Sequence, residues 1–170
     1  MYDIYIQKLA DRLAFERGET RLVSLAINRL ERAKSAVPSR AISVLQINQS
    51  HDETHAELVR KILLSLKPEA LDSWRLFDGV NRAYRGFFDV LVSPHSDFLR
   101  IFQILYFAKL ASNGEWEVLI DLTRKFNGAE ASRPFKEALA QERQHLTEIK
   151  QIYYQLVVGS DDHNLTSQAV

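Results

Sequence analysis

Apolar residues recur every three or four positions through four long stretches of the chain, the spacing that puts them on one face of a helix. From residue 2 to about 36 the stripe is Ile6, Leu9, Leu13, Glu16, Thr20, Val23, Ile27 and Leu30. From 40 to about 66 it is Ala41, Leu45, Asn48, Asp52, His55, Val59, Ile62 and Leu66. From 97 to about 127 it is Phe98, Phe102, Leu105, Lys109, Asn113, Trp116 and Ile120. From 129 to about 158 it is Phe135, Leu139, Glu142, His145, Leu146, Ile149, Ile152 and Leu156. Gly18 weakens the first helix by about 1 kcal/mol relative to Ala, but the period runs on past it, so one helix is expected there. Pro38 breaks that helix, Ser39 offers an N-cap to the next, Pro68 ends the second, and Asn127-Gly128 is a stop signal for the third.

Residues 67–96 carry two Pro, two Gly and five aromatics and show no long period. They are too apolar for a disordered linker. A long crossover containing one or two short helices is expected, with Trp74, Phe77, Phe87 and Phe88 packed on the outside. The tail from 160 to 170 has no apolar periodicity and is expected to be mobile. The pattern predicts an all-α fold: an antiparallel four-helix bundle over residues 1–159, with one long crossover between the second and third helices.

Each stripe is interrupted by ionisable residues. Glu16 interrupts the first and Lys109 the third. Asp52 and His55, three apart, interrupt the second, and Glu142 and His145, also three apart, the fourth. A single acid–histidine pair at the edge of a helix would need no explanation, but here the device repeats in both halves of the chain. Glu16 and Asp52 are separated by 36 residues, Lys109 and Glu142 by 33. Ionisable groups aimed into a helical core are costly unless something neutralises them, and a metal ion is the simplest agent.

Composition narrows the chemistry. Lys+Arg and Asp+Glu both number 22, a formal net charge of zero, which argues against a nucleic acid or an anionic membrane surface as partner. The chain has no Cys, which excludes thiolate metal sites, disulfides and Cys nucleophiles. Any metal must be held by carboxylates and imidazoles. No signal peptide and no membrane span are evident, so a soluble, cytoplasmic protein is expected. No Walker loop, dinucleotide fingerprint, nucleophile elbow or nucleic-acid module is present.

The segments LADRLAFERGETRL, WEVLIDL and FKEALAQERQHLTEI, with the two acid-x-x-His pairs, resemble the ferritin-like superfamily of di-iron or di-manganese carboxylate bundles, rubrerythrins among them. The resemblance runs from about residue 5 to 158. It implies that Glu16 is the terminal carboxylate of one metal and His55 the imidazole of that same metal. It implies that Asp52 and Glu142 bridge and that His145 serves the second metal. Lys109 stands where the family has that metal's terminal Glu, and Asp52 where it has Glu. It also implies O₂- or peroxide-dependent oxidase or peroxidase chemistry, and pairing of two copies in a homodimer.

The two departures change the electrostatics. Glu16, Asp52, Glu142 and protonated Lys109 carry a formal −2, which one dication cancels and two would overshoot. One metal ion (iron, manganese or zinc) is expected on the side of Glu16 and His55, with Lys109 paired to Glu142. The other reading has no metal, only a buried ion network in a degenerate bundle that acts by association. A third is small-ligand binding between the helices. Glu115 and Glu117 are poor substitutes for the missing carboxylate, and Tyr106 reads as plain core. His51, His95 and His163 read as solvated, as do Arg75, Arg82 and Arg85.

Overall fold

The computed structural model describes residues 2–32, 39–69, 84–93 and 95–159. Four long helices account for most of them: α1 (Tyr2–Arg32), α2 (Ser39–Leu66), α4 (Phe98–Ala131) and α5 (Arg133–Val158), with a short helical stretch, α3, at 84–92. No strand occurs among the described residues, so the fold is all-α as the periodicity predicts. No described helix is long and apolar enough to cross a membrane.

α1 packs along α2 and α4 along α5, and the two pairs meet where α1 touches α4 and α2 touches α5. Every one of these contacts is antiparallel. Ser24 meets Gln49 while Glu16 meets His55, and Tyr106 meets Tyr153 while Trp116 meets Phe135. Arg12 meets Ser112 while Tyr5 meets Thr123, and His51 meets His145 while His55 meets Gln141. The apolar stripes face inward in two clusters. One end is built on Leu22, Leu45, Phe102, Leu105 and Ile149, the other on Leu9, Leu13, Val59, Trp116 and Phe135. Between these clusters lie the polar interruptions.

Two details differ from the sequence reading. The stop expected at Asn127-Gly128 does break the regular helix, and only a kinked extra turn lies beyond it. Gly128 takes a left-handed φ of 87°, which kinks the chain, and one further turn follows to Ala131. The last helix therefore starts at Arg133 rather than 129, with Pro134 in its first turn, where no backbone N–H is needed. The aromatics of α3 do not coat the outside: Tyr84 is buried in the core, and Phe87 and Phe88 pack half-buried against it. Trp74, Phe77, Arg75, Arg82 and the tail from 160 lie outside the described residues.

α3 also accounts for Gly18. A Cβ on that glycine would stand 3.1 Å from the Tyr84 ring. The ring itself is wedged edge-on against Phe15 at 4.9 Å and Phe87 at 5.7 Å. A glycine inside α1 thus lets α3 dock. Arg29, in the last turn of α1, then secures the end of α3 and the chain beyond it by donating to the carbonyls of Leu91, Ser93 and Ser96.

Candidate metal centre

The six residues that interrupt the stripes converge. Glu16, Asp52, His55, Lys109, Glu142 and His145 are all buried, none more than 2 % exposed. α1 supplies Glu16, α2 Asp52 and His55, α4 Lys109, and α5 Glu142 and His145. Helical periodicity puts each on the inward face of its own helix, and the antiparallel packing of the helices sets them at one level.

The Lys109 ammonium sits among three carboxylates. It donates to Asp52 Oδ1 at 2.8 Å and Glu142 Oε2 at 3.1 Å, and it lies 3.1 Å from Glu19 Oε1. The expected pairing with Glu142 is present, and the pairing with Asp52 is the shorter. On the other side, Glu16 receives the Arg12 guanidinium through Nε at 2.9 Å and through a second, closer nitrogen. Arg12 also donates to the Ser112 hydroxyl at 2.8 Å, and that hydroxyl donates to Glu142 Oε2 at 2.9 Å.

Two members of the cluster were not anticipated from the sequence. Arg12 and Glu19 are 2 % and 1 % exposed, and both flank Glu16 on α1. They cancel each other in the charge count. Four carboxylates (Glu16, Glu19, Asp52, Glu142) against two fixed cations (Arg12, Lys109) still leave a formal −2. The sequence carried a signal for them: Leu9, Arg12, Glu16, Glu19 and Val23 form a second line at helical spacing beside the stripe through Leu13 and Thr20.

Several ligand-type atoms remain without a hydrogen-bond partner in this buried space: Glu16 Oε2, Glu19 Oε2, Asp52 Oδ2, His55 Nδ1 and His145 Nδ1. His55 turns its other nitrogen, Nε2, to Gln141 Oε1 at 2.7 Å. An amide oxygen there requires a proton on Nε2, so in the neutral ring Nδ1 is a lone pair aimed inward. His145 is arranged alike, with Nε2 2.9 Å from His51 Nδ1 and Nδ1 facing Glu142 and Asp52. His51 is therefore a half-buried neighbour of the centre, stacked on His145, rather than a solvated residue. One atom each from Glu16, Asp52, His55 and Glu142 fall within 4.8 Å of one another. This group could hold a metal ion, and its oxygen and nitrogen donors suit iron, manganese or zinc.

The ionisation of the cluster follows from burial and neighbours. Burial pushes the Asp52 carboxyl well above its usual range, against the pull of Lys109. Burial likewise raises Glu16, and it raises Glu19 to about 7 despite Lys109. Glu142 goes the other way: burial would raise it, but Lys109, His145, His55 and Arg12 together hold it well below the carboxylate range. Lys109 stays firmly charged, because Asp52, Glu19 and Glu142 outweigh its desolvation. Desolvation lowers His145, whereas in His55 it is overcome by Glu142 and Glu16 at 3.3 and 3.9 Å, and the ring is pushed up.

The other candidates stand apart. Glu115 pairs with Lys8 at 3.3 Å and exposed Glu117 with Arg143 at 2.8 Å, so neither can replace the missing carboxylate. Half-buried Tyr106 stacks on Tyr153. His95 and Arg85 are exposed, and His163 lies outside the described residues. Comparison of the chain with protein-family models, with curated proteins and with solved structures gives no match.

Proposed function

We propose that the chain is a ferritin-like antiparallel four-helix bundle, with its long crossover between α2 and α4, that binds a single metal ion. Glu16, Asp52, His55 and Glu142 are its ligands, with His145 adjoining. The carrying observation is the asymmetry of the centre. Unpartnered ligand atoms occur on both sides, but Glu16 and His55 belong to the group whose ligand atoms fall within 4.8 Å of one another, whereas an ammonium already occupies the space between Asp52, Glu142 and Glu19. A dication cancels the residual −2, and a second would leave an uncompensated charge in a buried site.

A bound redox metal would supply oxidase- or peroxidase-type activation of O₂ or peroxide. The chain's own residues prepare for it. Arg12 holds one oxygen of Glu16 and leaves Oε2 open. Gln141 fixes the His55 tautomer, His51 orients His145, and the two apolar clusters exclude water from either end.

One observation favours a second reading, a metal-free bundle that acts by association. His55 Nδ1 lies 3.3 Å from Glu142 Oε1, so a proton on that nitrogen supplies part of the positive charge a metal would bring. The Lys109→Glu variant separates the two. It restores a formal −4, and the single-metal reading expects one dication per parent chain and two per variant chain by elemental analysis. A parent without metal, alongside a variant that gains metal and peroxide turnover, would establish the degenerate bundle instead.

A further inference from the structure

We propose that the buried centre is reached through the groove between α1 and α4, and that α3 is the door that closes it. The inward stripes do not account for everything buried on that side. α1 meets α4 through Arg12 and Glu19, and α4 answers with Ser112 and Lys109. Leu22 on α1 and Ile101, Ile104 and Ala108 on α4 lie on the flanks beyond those lines, yet they are 0, 1, 9 and 1 % exposed. Flanks of this kind face solvent unless a further element lies over them. α3 is that element: its Tyr84 and Leu91 belong to the same buried cluster, and Phe87, Phe88 and Val90 pack against it.

The door reaches the centre at Tyr84. Its ring is seated on Gly18, the neighbour of Glu19 along α1. Its hydroxyl is buried without a hydrogen-bond partner. Burial raises that phenol well above its usual range, and the charges that act on it all belong to the centre: Glu19 foremost, then Arg12, Glu16 and Asp52. On the α2–α5 side, by contrast, the covering side chains come from the long helices themselves, with His51 on His145 and Gln141 on His55. Long helices cannot part without exposing both apolar clusters, whereas a short element can lift as a local unit. Lifting α3 breaks no hydrogen bond at Tyr84. The bonds that Arg29 donates to the carbonyls of Leu91, Ser93 and Ser96 come from a half-buried side chain, where water can replace them. A glycine seat, an unbonded hydroxyl and a latch at the solvent edge together describe a part built to detach.

Thiol labelling of the full chain tests the door without any metal. The chain has no cysteine, so Ala108→Cys places a single thiol beneath α3. Ala138→Cys places one in the other cluster, on α5, where only wider unfolding exposes it. In low urea the first thiol should react with an aromatic disulfide reagent at a rate that urea hardly changes, because lifting α3 exposes little surface. The second should react more slowly, at a rate that climbs steeply with urea. Arg29→Ala should raise the flat rate of the first about tenfold or more, and Gly18→Ala, which crowds the seat of the ring, should act in the same direction. A further arm rests on the metal reading above: EDTA should strip the zinc-loaded chain faster in Arg29→Ala, with the number of ions bound unchanged. A chain that holds no zinc would count against the metal reading alone and leave the thiols to decide the door. An Ala108→Cys rate as steep in urea as that of Ala138→Cys, a flat rate that Arg29→Ala does not change, or zinc loss indifferent to Arg29→Ala would overturn the proposal.

Discussion

Lys109→Met tests whether the ammonium is what makes the acidic centre tolerable. The methionine keeps much of the volume of the lysine stem and removes only the charge and its donors. Three carboxylate oxygens, at 2.8, 3.1 and 3.1 Å from Nζ, would lose their cation, and the formal charge of the cluster would fall from −2 to −3. Removing one partner from a buried ion pair costs about 3–5 kcal/mol, because the other charge is left uncompensated. Proton uptake by Asp52 and Glu19, both already pushed upward by burial, offsets part of this, so the lower end of the range is expected near pH 7. Urea unfolding in the presence of a chelator measures the loss. Adding manganese or zinc should then recover about 2–3 kcal/mol at a hundredfold excess over the dissociation constant, since only the folded chain offers the site. A loss below about 1 kcal/mol without metal would refute the reasoning, because Lys109 would then not be compensating the acids.

Glu19 makes a prediction about pH. Its folded-state value of about 7 lies above the 4.5 of the unfolded chain, so the stability it contributes is complete below 4.5 and is lost as pH rises through 7. A displacement of that size corresponds to about 3 kcal/mol at most. Asp52 is pushed the same way, whereas Glu142 acts only at lower pH, so the parent should lose stability between about pH 5 and 7.5 and Glu19→Gln should flatten that slope. Equal slopes in thermal melts of the two proteins would count against it. Gly18→Ala should destabilise by about 1–2 kcal/mol despite the better helix former, because the Tyr84 ring at 3.1 Å is braced by Phe15 and Phe87 and cannot yield. A stabilised variant in urea unfolding would show that α3 can move aside.

Much of this arrangement was legible in the residues. The polar interruptions at Glu16, Asp52, His55, Lys109, Glu142 and His145 could be read as convergent because a helix repeats its inward face every three or four residues, and all six are buried at one level. Arg12 and Glu19 escaped because α1 buries a band wider than a single line. Leu13 and Thr20 continue one line, and Arg12 and Glu19 continue the one beside it, which faces α4 through Ser112 and Lys109. The reason for Gly18 was invisible because it lies in Tyr84, 66 residues further along the chain. His51 read as solvated because it neighbours Asp52 off the stripe, but α5 reaches around to stack His145 upon it. The break at Gly128 was legible, but the start of the last helix was placed too early, because one kinked turn intervenes before Pro134 marks it.

The most direct measurement is elemental analysis of the purified chain after expression in medium supplemented with iron and manganese, with Glu16→Gln and His55→Ala alongside. One divalent ion per parent chain, lost in both variants, is the expected result. Less than about 0.2 ion per parent chain, or an ion retained in both variants, would contradict a single metal held on that side of the centre.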